Sequence, residues 1–150
     1  MKLAEVLATK GPGAACIAAD APLAAAIAEL AARNIGALVA LDTAGAVAGI
    51  LSERDIVRAL AAGRPLDRLA VADLMTPGVI CGRLDDDLEP VLAAMTEGHF
   101  RHLPVVDGGA LVGLVTTADL AQALLRSLAG RLVTLELRLE ADIDESGVGR

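Results

Sequence analysis

Residues 49–56 read GILSERDI, and residues 113–120 read GLVTTADL. Each octet opens on glycine and continues with two large aliphatics. A hydroxyl side chain follows three positions after the glycine (Ser52, Thr116), and an aspartate six positions after it (Asp55, Asp119). A pattern written twice in one short chain marks a duplicated unit. Internal repeats decide the fold, because missing one misassigns every element around it.

The duplication extends well beyond the octets. Laid over each other with Cys16 on Cys81, residues 16–42 and 81–107 also match Asp20 with Asp85, Leu23 with Leu88, Ile27 with Leu92, Leu30 with Met95, Leu38 with Leu103 and Asp42 with Asp107. The turn DTAGAVAG is one residue longer than DGGALVG, the kind of change a surface loop tolerates, and past it Gly49, Ser52 and Asp55 fall on Gly113, Thr116 and Asp119.

Each unit has a local plan. Leu23, Ile27 and Leu30 form one helical face, and Leu88, Val91, Leu92 and Met95 form its counterpart. ALVAL, AVAGIL, LPVVD and ALVGLV are short continuous apolar runs, joined in pairs by Asp/Gly turns, and predict hairpins buried on both faces. SERDIVRALAAG and TTADLAQALLRSLAG have helical periodicity and reach a glycine stop. The unit therefore reads strand, helix, strand, strand, helix, an α+β fold. The units divide at 1–66 and 67–130, and residues 70–78 echo residues 3–11 as a short leading helix. Residues 131–150 have no counterpart: 131–143 predict one more amphipathic helix suited to dimer contacts, and 144–150 a frayed tail.

The chain has 150 residues, 55% of them hydrophobic and 1% aromatic, so Ala, Val, Leu and Ile must fill the interior. A net charge of −7 argues against duplex nucleic acid, whose binders present a basic face, and against an anionic membrane. Asp20, Pro22, Glu29, Arg33 and Asp42 break the apolar stretches before the roughly 18 residues of a membrane span accumulate. Glu5 interrupts the short apolar opening, which is wrong for a secretory signal. A cytoplasmic protein without membrane insertion is the expectation. Cys16 and Cys81 lack CxxC spacing and read as buried reduced thiols.

The paired Ser/Thr and Asp can do two things. As S/T-x-x-D at a helix start they cap free backbone N–H groups, contributing about 1 kcal/mol. The same helix end also attracts phosphate, and an aspartate in the first turn can accept two hydrogen bonds from a vicinal diol. A ribose phosphate satisfies both groups at once, with an aliphatic slot beside them for a base.

With G-h-h-[ST]-x-x-D after a hairpin in each unit, and RHLPVVD (101–107) in the second, residues 3 to 128 resemble a tandem pair of CBS domains. The resemblance implies two βαββα units packed sheet to sheet about a pseudo-twofold axis. It also implies two clefts for adenosine compounds (AMP, ADP, ATP, NAD or S-adenosylmethionine) as regulatory ligands, with no obligatory cofactor. By the same resemblance Asp55 and Asp119 hold ribose, Ser52 and Thr116 face phosphate, and Arg101 or His102 contacts phosphate beside Pro104. A homodimer and a separate regulated protein are the partners it suggests. Gly36 and Ala37 stand where Arg101 and His102 stand in the second unit, so the two clefts are expected to be chemically unequal. Arg54 is the alternative cation in the first cleft, with a salt link to Glu53 or Asp67 as its other reading.

Other signals are weak. Gly11-Pro12-Gly13 begins like a dinucleotide fingerprint but lacks the third glycine and a preceding strand. His99 and His102 have no accompanying carboxylate or thiol cluster, so no metal site is expected. No catalytic triad or phosphate-cradling glycine loop is present, so an enzyme is not expected. The alternative function is a ligand-free dimerisation and docking scaffold for an enzyme or transporter, with the aspartates acting only as caps.

Overall fold

The computed structural model describes residues 1–11 and 13–146, with the side chains of residues 144–146 left aside. The elements run α1 (Leu3–Lys10), β1 (Cys16–Ala18), α2 (Leu23–Arg33), β2 (Ala37–Leu41), β3 (Val47–Ser52), α3 (Glu53–Ala61), α4 (Val71–Leu74), β4 (Thr76–Pro77), β5 (Gly82–Arg83), α5 (Leu88–Glu97), β6 (His102–Asp107), β7 (Ala110–Thr116) and α6 (Thr117–Ser146). The strand, helix, strand, strand, helix order is present twice, in a mixed α and β fold with two sheets.

In each sheet a short first strand pairs parallel to the strand reached after a helical crossover, and that strand turns back antiparallel. Cys16 stands opposite Val39, and Gly82 opposite Val105. The hairpin β2–β3 aligns Ala37 with Ser52, and β6–β7 aligns His102 with Thr116, so each Ser/Thr of the octets ends a strand beside the start of its partner. The tighter turn carries Gly108 at φ 56° and Gly109 at φ 82°, left-handed conformations that a side chain resists.

The leading helices are exchanged between the units. Leu3, Val6 and Leu7 of α1 pack with Leu88, Met95, Leu103, Val105, Val115 and Leu120 of the second sequence unit. Val71 of α4 packs with Leu23, Leu30, Leu38 and Leu51 of the first. Backbone hydrogen bonds repeat the exchange: Leu3 N–H donates to Asp86 O and Ala4 N–H to Leu84 O, both at 3.0 Å, while Val71 N–H donates to Ala21 O at 2.9 Å and Leu23 N–H to Leu69 O at 2.8 Å. The repeat boundary at 66/67 therefore follows the sequence pattern, whereas core membership crosses it. Between the sheets, Ala37, Val39 and Ile50 meet Leu114 in a third apolar cluster.

The exchange explains the glycine that opens each octet. A Cβ on Gly113 would lie 2.5 Å from Leu7 of α1, and one on Gly49 2.5 Å from the carbonyl oxygen of Thr76 in β4. Strand β4, absent from the sequence reading, pairs antiparallel with β3, with Pro77 opposite Gly49.

Two expectations are corrected. The glycine stop at Gly130 does not end a helix: α6 runs unbroken through it to Ser146, so 131–143 is the continuation of α6 rather than a separate helix. Gly130 is not in a left-handed conformation, and its cost of about 1 kcal/mol is spread over a long cooperative helix of good formers. The tail expected to fray continues this helix through Ser146, and its remainder lies outside the described residues, as does Pro12. Second, Cys16 is exposed on the edge strand β1 rather than buried, while Cys81 is half-buried and its thiol is pushed up by burial. No described helix is long and apolar enough to cross a membrane.

Candidate functional site

A cavity of about 540 Å³ lies where the two repeats meet. From the first repeat it receives the end of β3 and the start of α3, with Ser52, Arg54 and Asp55 on its wall. Strand β3 delivers Ser52 by its pleat, and α3 begins immediately after it, which aims the first turn of the helix at the cavity. From the second repeat it receives the entry to β6: His99, Phe100, Arg101 and His102. Segment 76–80, following α4, closes the remaining side with Pro77, Val79 and Ile80.

Arg101 and His102 therefore face the Ser52–Asp55 pair of the other repeat. The sequence reading grouped them with Thr116 and Asp119 because they share a unit; His102 does stand opposite Thr116 and Arg101 O accepts from Thr117 N–H, and the cavity brings the same two residues beside the first octet as well. Arg54 lines the same cavity and, among the described residues, has no salt bridge to Glu53 or Asp67. Pro104 does not line it: the ring is buried within β6, opposite Leu114. The apolar part of the wall comes from Ile50, Val79, Ile80 and Phe100, and Ile80 is 68% exposed, an unusual exposure for so large an aliphatic.

The two octets differ in detail. At the first, Ser52 N–H and Ser52 Oγ both donate to Asp55 Oδ2, at 2.8 and 3.0 Å. At the second, Thr116 N–H donates to Asp119 Oδ2 at 2.9 Å and Asp119 N–H donates to Thr116 Oγ1 at 3.0 Å, a complete reciprocal cap. Asp119 carries a further partner. Lys10, the last residue of α1, donates through Nζ to Asp119 Oδ2 at 2.7 Å and to Leu114 O at 2.8 Å. Among the described residues Asp55 has no ion-pair partner.

The charges follow this geometry. Partial burial pushes the Asp119 carboxyl up, but the Lys10 ammonium and the Thr116 N–H outweigh it and hold the group below the usual carboxylate range. His102 sits between the two octets. Burial disfavours its imidazolium, the charges of Lys10 and Arg101 add to that, and together they outweigh Asp119 and hold the ring below its ordinary value. The cavity thus offers the guanidinium groups of Arg54 and Arg101, the imidazoles of His99 and His102, the carboxylates of Glu53 and Asp55, the hydroxyls of Ser52 and Thr76, and an apolar wall. That set suits a ligand with a diol, an anionic group and a flat apolar part. Among the described residues no group of three or more His, Cys, Asp and Glu side chains is arranged to hold a metal ion.

Sequence reasoning missed Lys10 and the segment 76–80. A signal existed in the repeat, where Thr9-Lys10-Gly11 aligns with Thr76-Pro77-Gly78. At the first octet this alignment sets Pro77 on the cavity wall; at the second it sets a cation on the aspartate.

Comparison with known proteins agrees with the geometry. The CBS domain family model matches residues 6–62 and again 71–126. An uncharacterized 17.7 kDa protein of Acidianus ambivalens is 41% identical over 98 residues, 65% of this chain and 58% of that protein, so the chain spans just over half of this relative's length. A CBS-domain containing protein from Agrobacterium tumefaciens superposes with a TM-score of 0.76 at 31% identity, covering 82% of this chain and 98% of that one. A CBS domain protein from Pyrobaculum aerophilum, solved in complex with AMP, superposes with a TM-score of 0.75 at 27% identity over 87% of this chain and 99% of the other.

Proposed function

The chain belongs to the CBS domain family, and from that premise we propose that it is a regulatory module that binds an adenosine-containing nucleotide in the cavity between its repeats and passes ligand state to a partner protein. The single observation that carries the reading is the union, in one cavity, of an aspartate without an ion-pair partner among the described residues from one octet and the Arg101–His102 pair from the other repeat. Asp55 accepts the ribose diol. Ser52, Arg54 and the first turn of α3 face the phosphate from one repeat, with Arg101 and His102 from the other. The base lies against Ile50, Val79, Ile80 and Phe100. The AMP held by the Pyrobaculum relative supports this class of ligand, and the choice among AMP, ADP, ATP, NAD and S-adenosylmethionine is for binding to decide.

The reading makes the protein a sensor rather than an enzyme, acting in the cytoplasm as a homodimer. Regulation requires that the ligand favour one arrangement of the repeats, since equal affinity for two states shifts nothing. Thermal unfolding with each nucleotide in turn tests it. A ligand at about 100 times its Kd adds roughly 2.7 kcal/mol to stability, and no shift with any of the five overturns the proposal. One observation favours the alternative of a ligand-free docking scaffold: at the second octet the aspartate already serves a structural bond to Lys10. That alternative requires Asp55 to be equally dispensable for binding.

A further inference from the structure

Beyond Leu124 the side chains of α6 leave the core. From Leu128 to Ile143 every residue is exposed, and the helix continues. Its apolar residues are not scattered. Leu125, Leu128, Leu132, Leu135 and Leu139 recur at alternating spacings of three and four, and all are large exposed aliphatics: Leu125 at 66%, Leu132 at 61%, Leu139 at 60%. This is the a/d seam of a coiled coil sustained over two heptads. The seam does not depend on the nucleotide reading.

The flanking charges select both the occupant and its direction. With leucines at a and d, Arg131 falls at g and Glu136 at the following e. In a parallel pair of identical helices, g of one chain meets the next e of the other, so Arg131 faces Glu136 of its copy twice over, once on each side of the twofold. An antiparallel pairing sets g against g and e against e, bringing Arg131 and Arg138 together and Glu136 against its own copy. Among the described residues neither Arg131 nor Glu136 has a salt-bridge partner within its own chain. Arg126, Arg131 and Arg138 balance Glu136, Glu140 and Asp142 on the same stretch, so it lacks the net positive charge that draws a helix to an anionic lipid surface.

We propose that residues 125–139 of α6 pair in parallel with the same residues of a second copy of this chain, burying the leucine seam and matching Arg131 to Glu136 across it.

Light scattering on the full chain at micromolar concentration is expected to give twice the chain mass. Leu132→Glu with Leu135→Glu is expected to give the single-chain mass with the thermal transition of the globular part retained. Arg131→Glu is expected to weaken the dimer about tenfold at low salt, and adding Glu136→Arg to restore it. Direction is read by Leu139→Cys, at the end of the seam, in a Cys16→Ser, Cys81→Ser background: mild oxidation is expected to link two chains through this one position, which a parallel in-register pair brings together and an antiparallel pairing of residues 125–139 holds far apart. A single-chain mass for the unmodified protein, a dimer that survives the double glutamate variant, or absence of the Leu139→Cys cross-link overturns the proposal.

Discussion

Lys10 and Asp119 stand 109 positions apart in the chain and meet at 2.7 Å. The contact breaks the symmetry of the repeat. In the first repeat the equivalent of Lys10 is Pro77, which brings no charge to Asp55 and lies on the cavity wall. A duplicated motif thus has two electrostatic settings: Asp119 holds a cation from α1, while Asp55 accepts hydrogen bonds from Ser52 and has no ion-pair partner among the described residues.

Replacing Lys10 with Ala is expected to release Asp119 without unfolding the chain. The pair is partly solvated, at 40% and 27% exposure, so its loss costs about 1 kcal/mol or less. Titration calorimetry is expected to give one nucleotide per chain for the unmodified protein. For Lys10→Ala a second, weaker site is expected, because the aspartate regains its acceptor while the octet loses its only ion-paired cation among the described residues. A stoichiometry of two in the unmodified protein contradicts this account.

Asp55→Ala and Asp119→Ala separate binding from capping. Each removes a helix-start acceptor and is expected to lower stability by about 1 kcal/mol. Only Asp55→Ala is expected to weaken nucleotide binding, by tenfold or more, in line with losing hydrogen bonds to a charged group. A 2′-deoxynucleotide is expected to show the same loss against the unmodified protein and no further loss against Asp55→Ala. Equal affinity of both variants for the ribonucleotide would remove the ribose from Asp55.

The depressed basicity of His102 gives the affinity a pH dependence of definite sign. A bound phosphate stabilises the imidazolium, so binding takes up a proton. Affinity is then flat at alkaline pH, rises as pH falls through the value the ring takes in the complex, and levels off below the lowered value of the free protein. His102→Asn is expected to abolish the slope. The ligand-free stability has the opposite trend: because the ring's folded-state value is lowered, its contribution is complete above about 6.5 and is lost as pH falls through the folded value. Asp119, also lowered, contributes fully above about pH 4 and loses that contribution on further acidification, and Lys10→Ala is expected to shrink this acid-limb change.

Gly49→Ala and Gly113→Ala are expected to differ, although both added methyl groups would sit 2.5 Å from a neighbour. At Gly113 the neighbour is the end of the Leu7 side chain, which can change rotamer. At Gly49 it is the carbonyl oxygen of Thr76, fixed by the pairing of β4 with β3. Overpacking costs about 1–3 kcal/mol, with Gly49→Ala toward the upper end and Gly113→Ala toward the lower. Chemical denaturation that ranks them the other way round would show that α1 is the more rigid neighbour.

The repeat made the architecture legible. Identical spacing of Leu23, Leu30 and Leu38 with Leu88, Met95 and Leu103 is enough to place two like units, because a buried helical face and a buried strand each have a period of their own. What the spacing could not convey was which surfaces meet. Arg101 and His102 were readable as cations at a strand entry, yet their destination depends on how one sheet packs on another, a relation with no local signature. Pro104 shares their strand but not their exposure, since pairing with Leu114 turns its ring into the sheet. Gly130 was misleading for a related reason: a glycine permits a left-handed helix end without requiring one, and here the chain keeps its helical conformation and runs on.

The exchange of leading helices means that neither half of the chain is a finished object. The first half lacks the residues that seal its own interior and carries, at its beginning, the helix that seals the other. A polypeptide of one repeat could bury its apolar surface fully only by lending that helix to a sister molecule and borrowing hers. Joining two such molecules end to end turns this mutual loan into an intramolecular one at high effective concentration. The interval near residues 63–66 is therefore a tether rather than a hinge, and fragments cut there should hold each other rather than drift apart.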